Sequence, residues 1–444
     1  MVGTASRRIK KKSSPYKITY QALSPHRTIL THSQSSSMPS FFERLPPELF
    51  HMILGKLSMV ELSVFSMVSK GISAYVAKFI STMSWRNKII IQSFHHSACP
   101  DEQSIALGHY RDLGLLFKRC TLLLPTKERL KLIFSNFSQV PCFMLGQCMS
   151  PDCFGFSSLG VFVQTLIAGW DELECQRVFS FLCKLTNLMQ KVEAVITEPP
   201  GVKRNQELQV RLFCRRVLLD PWKSCQEGHF WLTQLLKLWP LVSQAQLLFI
   251  LYGPQLHDGT LGWQQLVARG QPEEALCELA EAIVLLFSKL DVKGWTADSM
   301  VAVLEELTVL PWQWHVENVA RLLVMCGSNF CYTILVSKAI NGRLTEISTL
   351  IVYITLVCEK DGYSMNWVVH LVQKICQIFS TADEKLNFIK HLENMFSEVI
   401  RGFYELLIAR NHGDDRETFH NLCVLLSSVA HFHTKILHTL LKSN

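Results

Sequence analysis

Residues 41–86 read FFERLPPELFHMILGKLSMVELSVFSMVSKGISAYVAKFISTMSWR, and their pattern decides the start of the fold. Pro46 and Pro47 suit the first turn of a helix, where no amide donor is required, and Glu48 suits its positive end. Leu49, Ile53 and Leu57 then recur at i, i+4, i+8. Ser58 and Glu61 have the spacing of a capping box, so a second helix opens there, with Leu62, Phe65 and Val68 at intervals of three. Gly71 is expected to end it. A third short helix over 73–81 carries Val76, Phe79 and Ile80, followed by Trp85. A helical trio of about 45 residues is too small to cover all of its own apolar surface. It needs a partner.

The segment resembles the F-box family through Leu45-Pro46-Pro47-Glu48-Leu49, Ile53-Leu54, Leu57, Glu61-Leu62 and Val68-Ser69-Lys70, in that order. It departs from the family pattern at Gly71-Ile72, where many members carry Trp, and at Trp85, which stands late. The resemblance implies binding to S-phase kinase-associated protein 1, the Skp adaptor, which links such chains to a cullin scaffold and a RING subunit. It marks Leu45, Pro46, Leu49, Ile53, Leu54, Leu57, Leu62, Val68 and Lys70 as candidate adaptor-binding residues. Core packing is an equal reading for Leu57, Leu62 and Phe65, whereas Leu45, Pro46 and Leu49 stand at the open start of the trio. Downstream, LGLLFKRCTLLLPTKERLK at 113–131, AGWDELECQRV at 168–178 and RLFCRRVLLDPW at 211–222 are similar to a vertebrate member of the family. Its target-binding region has neither WD40 nor leucine-rich repeats.

Outward from this segment the helical texture continues. Leu130, Ile133, Phe134 and Phe137 recur at i, i+3, i+4, i+7 behind Thr126. Similar blocks span 171–195, 206–219, 229–238, 243–252, 272–290, 296–309, 316–326, 343–358, 364–379, 382–410 and 414–441, separated by breakers such as Pro199-Pro200-Gly201, Gly253-Pro254, Pro311 and Gly327. Alternating strand patterns are scarce. Gly-Trp pairs at 169–170, 262–263 and 294–295 are unequally spaced and establish no repeat. The expected fold is all-α: a disordered tail over 1–40, an F-box trio over 41–86, and an irregular, solenoid-like helical array over 87–444, with a sub-boundary near 199–205.

Charge divides the same way. Seven of the 44 Lys and Arg lie in residues 1–40, with no acidic residue beside them. The other 404 residues therefore carry 37 charges of each sign. A basic surface that tracks phosphate is not implied for the body, and recognition of a client by shape and apolar contact is expected there. The tail holds 13 Ser and Thr and little to bury, which favours disorder. Within it Arg7, Arg8, Lys10, Lys11 and Lys12 have the composition of a nuclear-import signal. No apolar run follows them, so a secretory signal is not expected.

Fifteen cysteines without a C-x-x-C indicate a reducing compartment, nucleus or cytoplasm. The apolar run 349–358 is about half the length needed to span a bilayer. Cys142, Cys148 and Cys153, and His95, His96 and Cys99, lack zinc-knuckle spacing. His420, His431, His433 and His438 fall on one terminal helix without a Cys or carboxylate to complete a site. Gly155 to Gly160 misses the nucleophile-elbow spacing, and there is no phosphate loop. Trp312 and Trp314 are candidates either for an interface anchor or for burial. No cofactor, metal or catalysis is expected, nor a membrane or nucleic-acid partner for the body. The sequence reads as a non-catalytic substrate receptor of a ubiquitin ligase, the alternative being a helical scaffold that binds the Skp adaptor without promoting ubiquitination.

Overall fold

The computed structural model describes residues 41–91, 100–140, 154–222, 225–288, 295–409 and 416–442; the tail cations and the 95–99 and 142–153 thiol and histidine groups lie outside them. The chain falls into two units, Met1–Phe50 and His51–Asn444. The first contains a 3-10 turn, Phe41–Arg44, whose Phe42 ring lies 5.9 Å from that of Phe50. Helix α1 (Pro47–Leu54) begins in it and carries the chain onward.

In the second unit, α2 (Met59–Phe65) opens on the expected capping box. The Ser58 backbone N–H donates to Glu61 Oε2 at 2.7 Å, and the Glu61 N–H donates back to Ser58 Oγ at 3.3 Å. The Ser58 bonds, backbone first, hold the Glu61 carboxyl below its ordinary range. Gly71 does not end this helix. The chain turns after Phe65, and Ser69 Oγ accepts the Ile72 N–H at 3.1 Å to start α3 (Lys70–Ile80), with Gly71 inside it. A Ser that satisfies an orphan amide outweighs the penalty for one glycine. A short α4 (Met83–Arg86) buries Trp85.

Next come α5 (Pro100–Cys120), α6 (Thr126–Phe137), α7 (Gly155–Ile167), α8 (Glu172–Thr186) and α9 (Leu188–Ile196). Helices α2 and α3 pack on α5. Ser73 Oγ donates to the Cys120 carbonyl at 2.9 Å, Arg119 donates to Ser63 Oγ at 2.8 Å, and Arg86 reaches across to the Ser135 carbonyl at 2.7 Å. The partner that α2 and α3 require is thus partly intramolecular.

Block 171–195 is two helices, because Asn187 adopts a left-handed φ of 54° that caps α8 and starts α9. Four helices escaped the periodicity reading: the single turn α4, and α5, α7 and α16. Glycines hide α5 and α7, and Gly114 and Gly160 are there for close approach. A Cβ on Gly114 of α5 would sit 2.8 Å from Thr165 Cβ of α7, and one on Gly160 would collide with the Arg216 carbonyl. Gly160→Val is therefore expected to cost about 1–3 kcal/mol by overpacking, read as a lowered urea midpoint with unchanged helix content at low urea.

The rest of the chain stacks helices in two layers. Its elements are α10 (Arg204–Phe213), a π turn Cys214–Leu219, α11 (Cys225–Leu236), α12 (Leu241–Tyr252), α13 (Glu274–Phe287), α14 (Ala297–Leu307) and α15 (Val316–Cys326). They continue as α16 (Ser328–Ile340), α17 (Leu344–Asp361), α18 (Met365–Cys376), α19 (Ala382–Ala409) and α20 (Arg416–Lys442). From α10 each even helix packs on the next even one, and from α11 each odd helix packs on the next odd one. This is the next-but-one stacking of a helical solenoid. Among the described residues the only β pairing is a bridge between Gln255 and Leu261.

Polar networks tie the layers. Arg211 donates to the Ile250 and Gly253 carbonyls at the end of α12 and to Glu278 of α13. Glu317, fully buried on α15, meets Arg269 at 2.9 Å and Lys360 at 3.0 Å. Lys338 of α16 bridges Glu305 of α14 and Glu346 of α17 at 2.9 and 3.0 Å.

Carboxylates from neighbouring helices receive the terminal histidines: His431 lies 3.0 Å from Glu359 and His433 lies 2.9 Å from Glu393. His433 also points Nδ1 at the Val429 carbonyl, 2.7 Å away, so both ring nitrogens face acceptors. Burial pulls this imidazole's pKa down, but the bonds to Glu393 and Val429 outweigh it and leave it raised. A raised histidine stabilises the fold below its ordinary pKa, and that contribution is lost as pH rises through the folded value. Amide exchange in α20, corrected for its intrinsic rate, is expected to be faster near about pH 8 than near about pH 6, and His433→Gln should remove most of the difference.

Candidate protein-interaction surfaces

Every residue of α2 except Glu61 and Ser63 is apolar, so a helix seated on α5 along one side must leave apolar groups on the other. Leu62 faces inward and is 2% exposed, while Val60 and Val64, one turn apart, are 47% and 55% exposed. Met67 and Val68, in the turn that follows, are also exposed. Together they form an apolar strip of a kind that isolated surface residues do not.

Of the residues marked by the family resemblance, Pro46, Leu49, Ile53, Val68 and Lys70 are exposed, and Leu45 and Leu57 are half-buried. Leu54 and Leu62 are buried, where they serve the core. Met52, Val60, Val64 and Met67, which the motif does not mark, are exposed as well. The signal was present in α2, whose apolar residues lie all around the helix, but a motif read at fixed positions passes over it.

The helical array carries a second kind of surface. Between α6 and α8 runs an open groove of about 880 Å³, floored by Leu130, Phe134, Leu173 and Phe181. The Phe134 and Phe181 rings meet edge to face at 6.4 Å. Lys127, Lys131, Arg177 and Lys184 stand along it, and no carboxylate lines it.

Of the two tryptophans in the 311–315 stretch, Trp314 is buried, donating from Nε1 to the Leu310 carbonyl at 3.0 Å, whereas Trp312 is exposed. Burial pushes the thiols of Cys120, Cys183, Cys326 and Cys358 up to about 12, far from the range of a nucleophile at neutral pH. Among the described residues no cluster of His, Cys, Asp and Glu is placed to hold a metal ion. No described helix is long and apolar enough to cross a membrane.

Comparison with known proteins agrees with this architecture. The F-box domain model matches residues 42–82, and the model described as "FBXO47, ARM repeats" matches residues 185–443. F-box only protein 47 of Mus musculus is 47% identical over 401 residues, covering 89% of this chain and 89% of that protein. The protein of the same name from Homo sapiens is 45% identical over 401 residues, covering 89% of this chain and 88% of that one. No solved structure matches.

Proposed function

The chain belongs to the F-box only protein 47 family, and from that premise we propose that it is the substrate-recognition subunit of a Skp-cullin-F-box ubiquitin ligase. The observation that carries the reading is the pairing of an F-box whose outward apolar residues are left uncovered with a long ARM-type array on the same chain. Residues 41–86 bind the Skp adaptor through Leu45, Pro46, Leu49, Ile53 and Val68, extended by Met52, Val60, Val64 and Met67. The array after about residue 87 holds a protein client. Catalysis resides in other subunits. The chain acts by raising the local concentration of the client's lysines beside the charged conjugating enzyme.

Arg7, Arg8, Lys10, Lys11 and Lys12 serve as an import address in this reading, so the protein works in the nucleus as well as the cytoplasm. A tagged chain lacking residues 1–40 is expected to keep the thermal transition of the full chain and to lose nuclear accumulation. Equal nuclear signal from both chains would remove the import role.

The test of the receptor reading is reconstitution of the full chain with the Skp adaptor, cullin and RING subunit. A stable four-component assembly is expected. A chain that takes the adaptor but excludes the cullin would replace the receptor with a non-degradative scaffold.

A further inference from the structure

We propose that the groove between α6 and α8 is the docking site for an acidic amphipathic helix of a partner protein, an inference that deepens the receptor reading above and rests on it. Neutrality of the body as a whole conceals this local exception. Lys127, Lys131, Arg177 and Lys184 stand around one apolar floor, all four exposed and none in an ion pair among the described residues. Cations grouped without counter-charges repel one another at rest, and a guest that supplies carboxylates relieves that cost as it binds.

The shape of the floor sets the guest's form. On α8 the lining positions Leu173, Arg177, Phe181 and Lys184 follow one helical stripe, and on α6 Lys127, Lys131 and Phe134 follow another. The groove therefore runs along two parallel ridges for about two to three turns, the length of a helical segment of roughly 10–15 residues. Apolar side chains at i, i+3 or i+4, and i+7 of the guest seat on Leu130, Phe134, Leu173 and Phe181, and Asp or Glu flanking them face the four cations. A phosphate backbone would satisfy the cations, but it would leave the leucines and phenylalanines without an apolar guest. That contrast favours protein over nucleic acid.

The experiment uses the full chain in complex with the Skp adaptor. The probe is a fluorescent peptide of about 15 residues with Leu at helical spacing and Glu on both flanks, compared with the same peptide carrying Lys for Glu and with a single-stranded oligonucleotide of similar length. The acidic peptide is expected to bind at least about tenfold more tightly than the Lys version, and to weaken about tenfold as salt rises from about 50 to about 500 mM. Lys131→Glu with Arg177→Glu should abolish the preference for acid, and the neutral change Leu173→Asn should weaken the acidic peptide at unchanged salt dependence. These side chains are exposed, and an unchanged thermal transition verifies the fold of each variant. Tighter binding of the oligonucleotide, no binding of the acidic peptide, or binding indifferent to the variants would overturn the inference. Adaptor binding measured on the same samples separates the two readings: adaptor held without peptide removes the groove alone, and peptide held without adaptor removes the receptor alone.

Discussion

Alanine at both Leu45 and Pro46 is expected to weaken binding of the Skp adaptor by on the order of a hundredfold or more, since truncating an interface anchor often costs about 2 kcal/mol or more. Pro46 is exposed and Leu45 half-buried, so the change removes little core and the thermal transition should barely move. Leu54→Ala and Leu62→Ala make the contrast. Both residues are buried, so each should cost about 2–5 kcal/mol of stability and lower adaptor binding only as far as it unfolds the chain. Calorimetric titration with purified adaptor, alongside thermal unfolding of the same samples, separates contact from core. A folded double variant with wild-type affinity would show that the adaptor is held elsewhere.

The second large effect belongs to the array. Glu317 is fully buried on α15 between Arg269 at 2.9 Å, Lys360 at 3.0 Å and Arg321 at 3.6 Å. Arg269 comes from the connection before α13, Lys360 from the end of α17, and Arg321 also grips Asp361 at 2.8 Å. Glu317→Ala strips the anion from three cations, and breaking a buried network from one side costs about 3–5 kcal/mol. Glu317→Gln keeps the shape and should fall between.

Burial pushes the Glu317 carboxyl up, but Lys360 and Arg269 outweigh it and hold it below the ordinary range. Its contribution is therefore present above the unfolded value of about 4.3 and is lost as pH falls through the folded one. Urea midpoints at neutral and mildly acidic pH measure both effects. A variant as stable as the parent would mean that the network has no net value.

Residues whose neighbours lie close in sequence were legible, and those whose neighbours arrive from elsewhere were not. The Ser58–Glu61 box and the all-helical class are local facts, and they hold. Gly71 misled because a stop signal read alone takes no account of Ser69, two residues earlier, starting a helix. Helix α7 was overlooked because Gly155 to Gly160 was weighed only as a nucleophile elbow, although Gly160 is there to admit the Arg216 carbonyl. The ARM repeats were invisible as a period, because stacking fixes which helices touch and leaves their lengths and connections free. The α10 to α11 link contains a π turn, while α12 to α13 is joined by a long connection that buries Trp263 and Leu266.

Which apolar residues of the F-box are left exposed followed from burial, which spacing alone could not assign. Val60 and Leu62 are two residues apart, and only the position of α5 decides which faces inward. The α6–α8 groove could not be read from charge totals, since its cations are compensated by carboxylates elsewhere. The same packing bears on where the chain can be cut. Helices α2 and α3 share hydrogen bonds and close packing with α5, so removing residues 1–86 would bare α5 as well as delete the F-box. Point changes at exposed side chains are the sounder probe.

Central to the account is that one chain joins a ligase core to a client. The most direct measurement is quantitative co-purification from cells of the full chain and of the Leu45→Ala, Pro46→Ala variant. The adaptor, cullin and RING subunit are expected with the first and absent from the second, while the same clients stay with both and carry less ubiquitin on the variant. Adaptor without cullin, or clients whose ubiquitin is unchanged when the adaptor is lost, would contradict it.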